Sequence, residues 1–354
     1  MSGPDGLSGL DDLDDGLPVG HLDCSTSTYS RMLRGLGLDA RVLGDDLGYR
    51  YLARRDVWPI ESMLTSGRTH EEAIHSWYGI RARQLHHPGP QAAWDHIRAV
   101  VDDGRTAVVS IDLHDWPRSS FRNLRHYPHR VVVAGHRHDQ ALILDGRGDR
   151  RLIQWMPMAD ISAAMASPGL LSADGTYDGR HVTVDLPYPD PHRPPPPSQR
   201  YAQALTGAVA RYLHPADTGE PTGWTAMEAF CQDLNSYARA LSELPDERTI
   251  PGITFFGSLA TQRLFNALLT ELAGEQTGTD LTACAEAFRE AAAAWQRCYH
   301  VLLFGFHAGR DMAGLLQRVS VRVTERALKE RSLIEQIDRT LRRNGLMELK
   351  GPPA

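Results

Sequence analysis

Seven prolines fall between Pro187 and Pro197. Proline has no backbone N–H and a fixed φ, so this stretch can be neither a helix nor a central strand. It reads as a stiff polyproline-type linker over 187–198. The pattern changes on either side of it. Before the linker, short apolar runs alternate with turn residues. After it, apolar residues recur at helical spacing. The expected organisation is therefore an acidic leader over 1–17, a mixed domain over 18–186, the linker, a helical domain over 199–345 and a tail over 346–354.

The leader holds five aspartates, four glycines and no basic residue, a composition that does not fold. A helix is expected to open at Cys24, capped by Asp23, with Tyr29, Met32, Leu33 and Leu36 on one face and Gly35 and Gly37 at its end. A second helix is read over 91–103. Strands follow at Ala107–Ile111, Arg130–Ala134, Ala141–Leu144, Arg151–Trp155 and His181–Val184. The second and third are separated by a segment of hairpin length, Gly135–Gln140. The fold class is thus α+β: an N-terminal helix packed on a mostly antiparallel sheet, followed by an all-α domain. In the latter, helices are expected over Met227–Leu241, Phe255–Leu272, Leu281–Leu303 and Met312–Leu341.

Composition excludes several classes. The 354 residues carry a formal net charge of −6, so no global basic field attracts nucleic acid. No apolar stretch reaches the roughly 18 residues of a membrane span. The N-terminus has no basic segment followed by an apolar run, so no secretory signal is expected. Four cysteines, none in a C-x-x-C pair, point to a reducing, cytoplasmic setting rather than a disulfide framework or a zinc ribbon.

Cys24 is the cysteine with the strongest chemical context. A thiol attacks an acyl group as the thiolate, which a helix N-terminus and a nearby imidazolium both favour. Free cysteines are also common in cores. The flanks here are polar: His21, Asp23, Ser25, Thr26, Ser27 and Thr28. His129 heads one strand and Asp145 ends the next. If the two strands pair as a hairpin, the imidazole meets a carboxylate able to fix its tautomer and support its charge. His126, His129, His136 and His138 lie within thirteen residues, but their spacing fits no zinc signature. No metal and no bound cofactor are expected. Asp112 ends the first strand, either as a pocket residue or as a turn residue.

Gly20-His21-Leu22-Asp23-Cys24-Ser25-Thr26, His129 to Gly135 (His-x-Val-Val-Val-x-Gly), and strands ending in Asp145 and Asp112 together resemble the family of butirosin biosynthesis protein H. In that family the histidine and cysteine of the first motif are adjacent; here two residues separate His21 from Cys24. The His129–Asp145 interval also resembles papain-like bacteriocin-processing peptidases. The helical half is similar in layout, with an entry at Phe256-Gly257-Ser258, a helix carrying Arg263 and a later one carrying Trp295. The resemblance implies a papain-like domain with Cys24, His129 and Asp145 as catalytic residues, and His21, Ser25 and Asp112 at the substrate. It further implies acyl transfer, in bacterial antibiotic biosynthesis, from the 4′-phosphopantetheine thioester of a carrier protein to a small amine. Hydrolysis by the same triad, and a non-catalytic binding protein of the same fold, are the alternatives. The long last helix suits a solvated bundle face or a homodimer.

Overall fold

The computed structural model describes residues 24–51, 64–66, 68–119, 121–124, 126–147, 150–171, 178–188, 200–215, 221–243 and 246–346; for 64–66, 146–147, 150–151, 235–243 and 246–255 it describes the backbone alone. The leader, His21, the Asp23 cap and most of the linker and tail lie outside these residues.

The described residues open on α1 (Cys24–Gly35), then a 3-10 turn (Ala40–Gly44), β1 (Tyr49–Tyr51), β2 (Leu64–Ser66) and α2 (His70–Tyr78). Next come β3 (Arg83–His86), α3 (Pro90–Asp102), β4 (Ala107–Asp112), β5 (Pro128–Arg137), β6 (Gln140–Arg147), β7 (Arg150–Pro157), α4 (Met158–Met165) and β8 (Val182–Asp185). Five helices complete the order: α5 (Arg200–Leu213), α6 (Gly223–Glu243), α7 (Asp246–Thr277), α8 (Thr282–His307) and α9 (Met312–Arg343). Two compact units result. One holds the described residues up to 40 and those from 78 to 193; the other holds 41–77 and the residues from 194 onward. The sequence reading draws its boundary only at the prolines and assigns 41–77 to the first half.

The first unit is built on a six-stranded sheet of order β3-β8-β4-β5-β6-β7, antiparallel throughout. All six residues of β4 are buried, as expected of a strand covered on both faces. Val131, Val133 and Ile143 are buried on the face of β5 and β6 against which α1 packs, together with Tyr29, Met32 and Leu33 of that helix. The helix ends as its glycines predict. Gly37 takes φ +69°, and the N–H groups of Gly37 and Leu38 bond the carbonyls of Arg34 and Leu33, the Schellman arrangement. β5 and β6 turn through His138–Asp139, with His138 at φ +48°.

In the second unit α7 packs on α5 and α8, while α9 packs on α5, α6 and α8. Residues 41–51 run through this unit. A Cβ on Gly44 would strike the carbonyl of Phe265, so only glycine permits that approach. A buried network holds the unit together. Glu330 accepts from Arg263 (2.9 Å), Tyr49 (3.2 Å) and Trp295 (2.5 Å), and Arg263, Glu330 and Trp295 are all fully buried. Phe256-Gly257-Ser258 lies well inside α7 rather than at a helix entry, because α7 already runs from Asp246.

Candidate active site

β4 and β5 pair from Ala107↔Val133 to Asp112↔Pro128, which fixes His129 opposite Ile111. On its other side β5 pairs with β6 through Val132↔Leu144. Continuing that register sets Asp145 opposite Val131, diagonal to His129, within reach of a long side chain. His129 Nε2 and Asp145 Oδ1 are 2.9 Å apart. The ring nitrogen left for the thiol is therefore Nδ1.

α1 packs against β5 and β6, so its first residue, Cys24, comes to the imidazole. Cys24 and His129 share a side-chain hydrogen bond. His129 is 5% exposed. Burial alone would lower its pKa, but the bonds to Asp145 and Cys24 and their charges outweigh it and raise it from 6.5 to about 9. Around neutral pH the ring is an imidazolium clamped between a carboxylate and a sulfur.

The start of α1 is a run of poor helix formers, Ser25-Thr26-Ser27-Thr28, so packing rather than propensity sustains it. Thr26, Ser27, Thr28 and Ser30 are buried. The Thr28 hydroxyl donates to the Ser25 carbonyl (2.9 Å), and Arg31 donates to the Ser27 hydroxyl (2.9 Å). Arg130, next to His129, lies over the Tyr29 ring at 6.0 Å. That cation–π contact ties the strand bearing His129 to the helix bearing Cys24. Sequence reasoning missed Arg130; its position beside His129 was the only signal.

The remaining candidates fall elsewhere. Ser25 is half-buried and follows Cys24 in the same turn. Asp112 is fully buried and belongs to the adjacent residue pair, so it projects to the opposite side of β4–β5 from His129. Oδ1 accepts the N–H groups of His114 (3.0 Å) and Tyr127 (2.9 Å), while Oδ2 bonds the Ser167 hydroxyl (2.8 Å) and His126 Nδ1 (2.7 Å). Burial pushes its pKa up, but these four bonds prevail and hold it below the usual carboxylate value. Asp112 knits the strand end to the loop after α4; its acceptor positions are occupied. Ser167 and His126, which hold it, are residues that no local pattern joins.

The four clustered histidines disperse. His126 goes to Asp112, His129 to Asp145, His136 to Asp102 (Nε2–Oδ1 2.8 Å), and His138 to the hairpin turn. Among the described residues no group of three or more His, Cys, Asp or Glu side chains is arranged to hold a metal ion. No helix among them is long and apolar enough to cross a membrane. No protein-family model matches the chain, and no curated protein matches it.

Proposed function

We propose that the first unit is a papain-like cysteine domain and that the protein is an acyltransferase working through a Cys24 acyl-enzyme. The observation that carries this reading is His129, bonded through Nε2 to Asp145 and through its other nitrogen to Cys24, with a pKa of about 9. A protonated ring beside sulfur favours the thiolate, the nucleophilic form.

Proton balance follows from that charge state. The Cys24 thiolate attacks the thioester carbonyl, and the donor's carbon–sulfur bond breaks. The leaving thiolate takes the proton of the His129 imidazolium and departs as a thiol. The neutral imidazole then accepts a proton from the attacking amine. Cys24 leaves as the thiolate, the amide is released and the ion pair is restored. Asp145 holds the tautomer through both steps. Exchange of one thioester for another is nearly balanced in energy, and amide formation supplies the downhill step.

The resemblance of the Cys24, His129 and Asp145 motifs to the butirosin biosynthesis protein H family supports a carrier-bound aminoacyl donor and a small amine acceptor in bacterial secondary metabolism. The test is product analysis with an aminoacyl-carrier thioester and an added amine. Amide that forms with wild-type protein and is lost in Cys24→Ala supports the proposal. Free acid as the sole product, at any amine concentration, makes the protein a hydrolase instead.

A further inference from the structure

A groove of about 420 Å³ lies between α8 and α9. Its floor is apolar: Ala293, Ala294, Cys298, Val301 and Val319. Its rim carries Arg297, Arg322, Arg326 and Lys329 against only Glu290 and Glu325. In a chain of net charge −6 this is a local reversal of sign. Among the described residues, Arg326 makes an ion pair with Glu330 at 3.6 Å, while Arg297, Arg322 and Lys329 make none.

The same face of α8 continues past the groove. Ala293, Arg297, Val301 and Phe304 follow one another on it at helical steps of three and four, the last two exposed and apolar. Phe304 is 74% exposed and Val301 42%. From Glu290 to Phe304 the stripe is about 21 Å long at 1.5 Å per residue. That is too long for a small ligand and matches a helix of four turns. Small residues at 293 and 294 leave room for its side chains.

From this shape and charge we infer that the α8–α9 groove docks an amphipathic helix with an apolar crest and acidic flanks, belonging to the carrier protein that delivers the acyl group. The identity of the partner rests on the function proposed above; its chemistry is read from the groove. The binding mode is helix-in-groove, with the rim cations steering an acidic surface into register.

Binding of a phosphopantetheinylated carrier protein is measured by calorimetry at low and high salt. The full chain bears Cys24→Ala, so no covalent adduct contributes. The expected result is binding that weakens with salt and drops at least about tenfold in Arg322→Glu/Lys329→Glu. The control Arg339→Glu/Arg343→Glu, in exposed residues of the same helix away from the groove, is expected to bind as before. Circular dichroism checks that each variant stays folded, and Phe304→Ser provides a second, uncharged perturbation expected to weaken binding. Equal affinity in the groove variants, or no binding by any chain, overturns the inference. So does a homodimer in sedimentation that the groove substitutions dissociate, since a second copy would then be the occupant. Acylation of Cys24 from a small pantetheine thioester is followed separately. Acylation without carrier binding defeats the groove alone, and groove-dependent binding without acylation defeats the chemistry alone.

Discussion

Removing the Asp145 carboxylate separates an ion-pair mechanism from a merely adjacent histidine. His129 is buried, and burial disfavours its charged form. Its pKa nevertheless rises from 6.5 to about 9, a net preference for the imidazolium of about 3 kcal/mol. Asp145 and Cys24 supply that preference together. In Asp145→Ala the Nε2 bond and one neighbouring charge vanish while burial and the Cys24 contact remain, so the pKa falls from about 9 toward its ordinary value. Less imidazolium is then present at pH 8, and the ring is free to take the wrong tautomer. Acylation of Cys24, followed by single-turnover mass spectrometry, is expected to slow by roughly 10²-fold at pH 8. The fall in rate at high pH, centred near 9 in the wild type, moves to lower pH in the variant. Stability responds with a definite sign. A pKa raised by folding contributes stability that is full below about 6.5 and lost as pH rises through about 9. The deficit of Asp145→Ala in urea unfolding is therefore largest at about pH 6 and closes toward pH 10. A variant whose rate stays within about threefold, with its limb still near 9, would refute this reasoning.

Three further substitutions probe the scaffold. Asp112→Ala deprives two backbone N–H groups, a serine hydroxyl and His126 of their acceptor; it is expected to cost about 3 kcal/mol or more in denaturant unfolding, whereas a residue used only for substrate would change KM and leave stability intact. Arg263→Leu leaves Glu330 buried beside Tyr49 and Trp295, at a cost of about 3–5 kcal/mol; Arg263→Leu/Glu330→Leu is expected to recover much of it. Gly44→Ala pushes a methyl group into the Phe265 carbonyl, and a thermal midpoint lowered by several degrees is expected.

The meeting of Cys24, His129 and Asp145 was legible because short-range pattern and long-range pairing coincide there. His129 and Asp145 sit on consecutive strands joined by a two-residue turn, so local sequence alone brings them together. Cys24 opened a helix whose apolar positions, Tyr29, Met32 and Leu33, keep the 3.6-residue period. Legibility ended where packing overrides local preference. β1 and β2 are three residues each, too short for a periodic signal. The attachment of 41–77 to the helical unit depends on Gly44 meeting Phe265 and on Arg263 reaching Tyr49, contacts more than two hundred residues apart. Asp112 matched a site motif, yet its partners come from three places in the chain, and only their convergence reveals a structural carboxylate. Phe256-Gly257-Ser258 looked like a helix entry because glycine often punctuates helices; α7 carries Gly257 internally, where Tyr299 packs against it.

The central claim is that Cys24 becomes acylated. The chain has four cysteines, and burial raises the pKa of the thiols of Cys231, Cys284 and Cys298. Intact mass spectrometry with an aminoacyl-carrier thioester at about pH 7, followed by peptide mapping, is the most direct measurement. The expected result is one acyl group per chain, on Cys24, absent in Cys24→Ala and formed slowly in His129→Ala. An adduct on another cysteine, or none in the wild type, would contradict it.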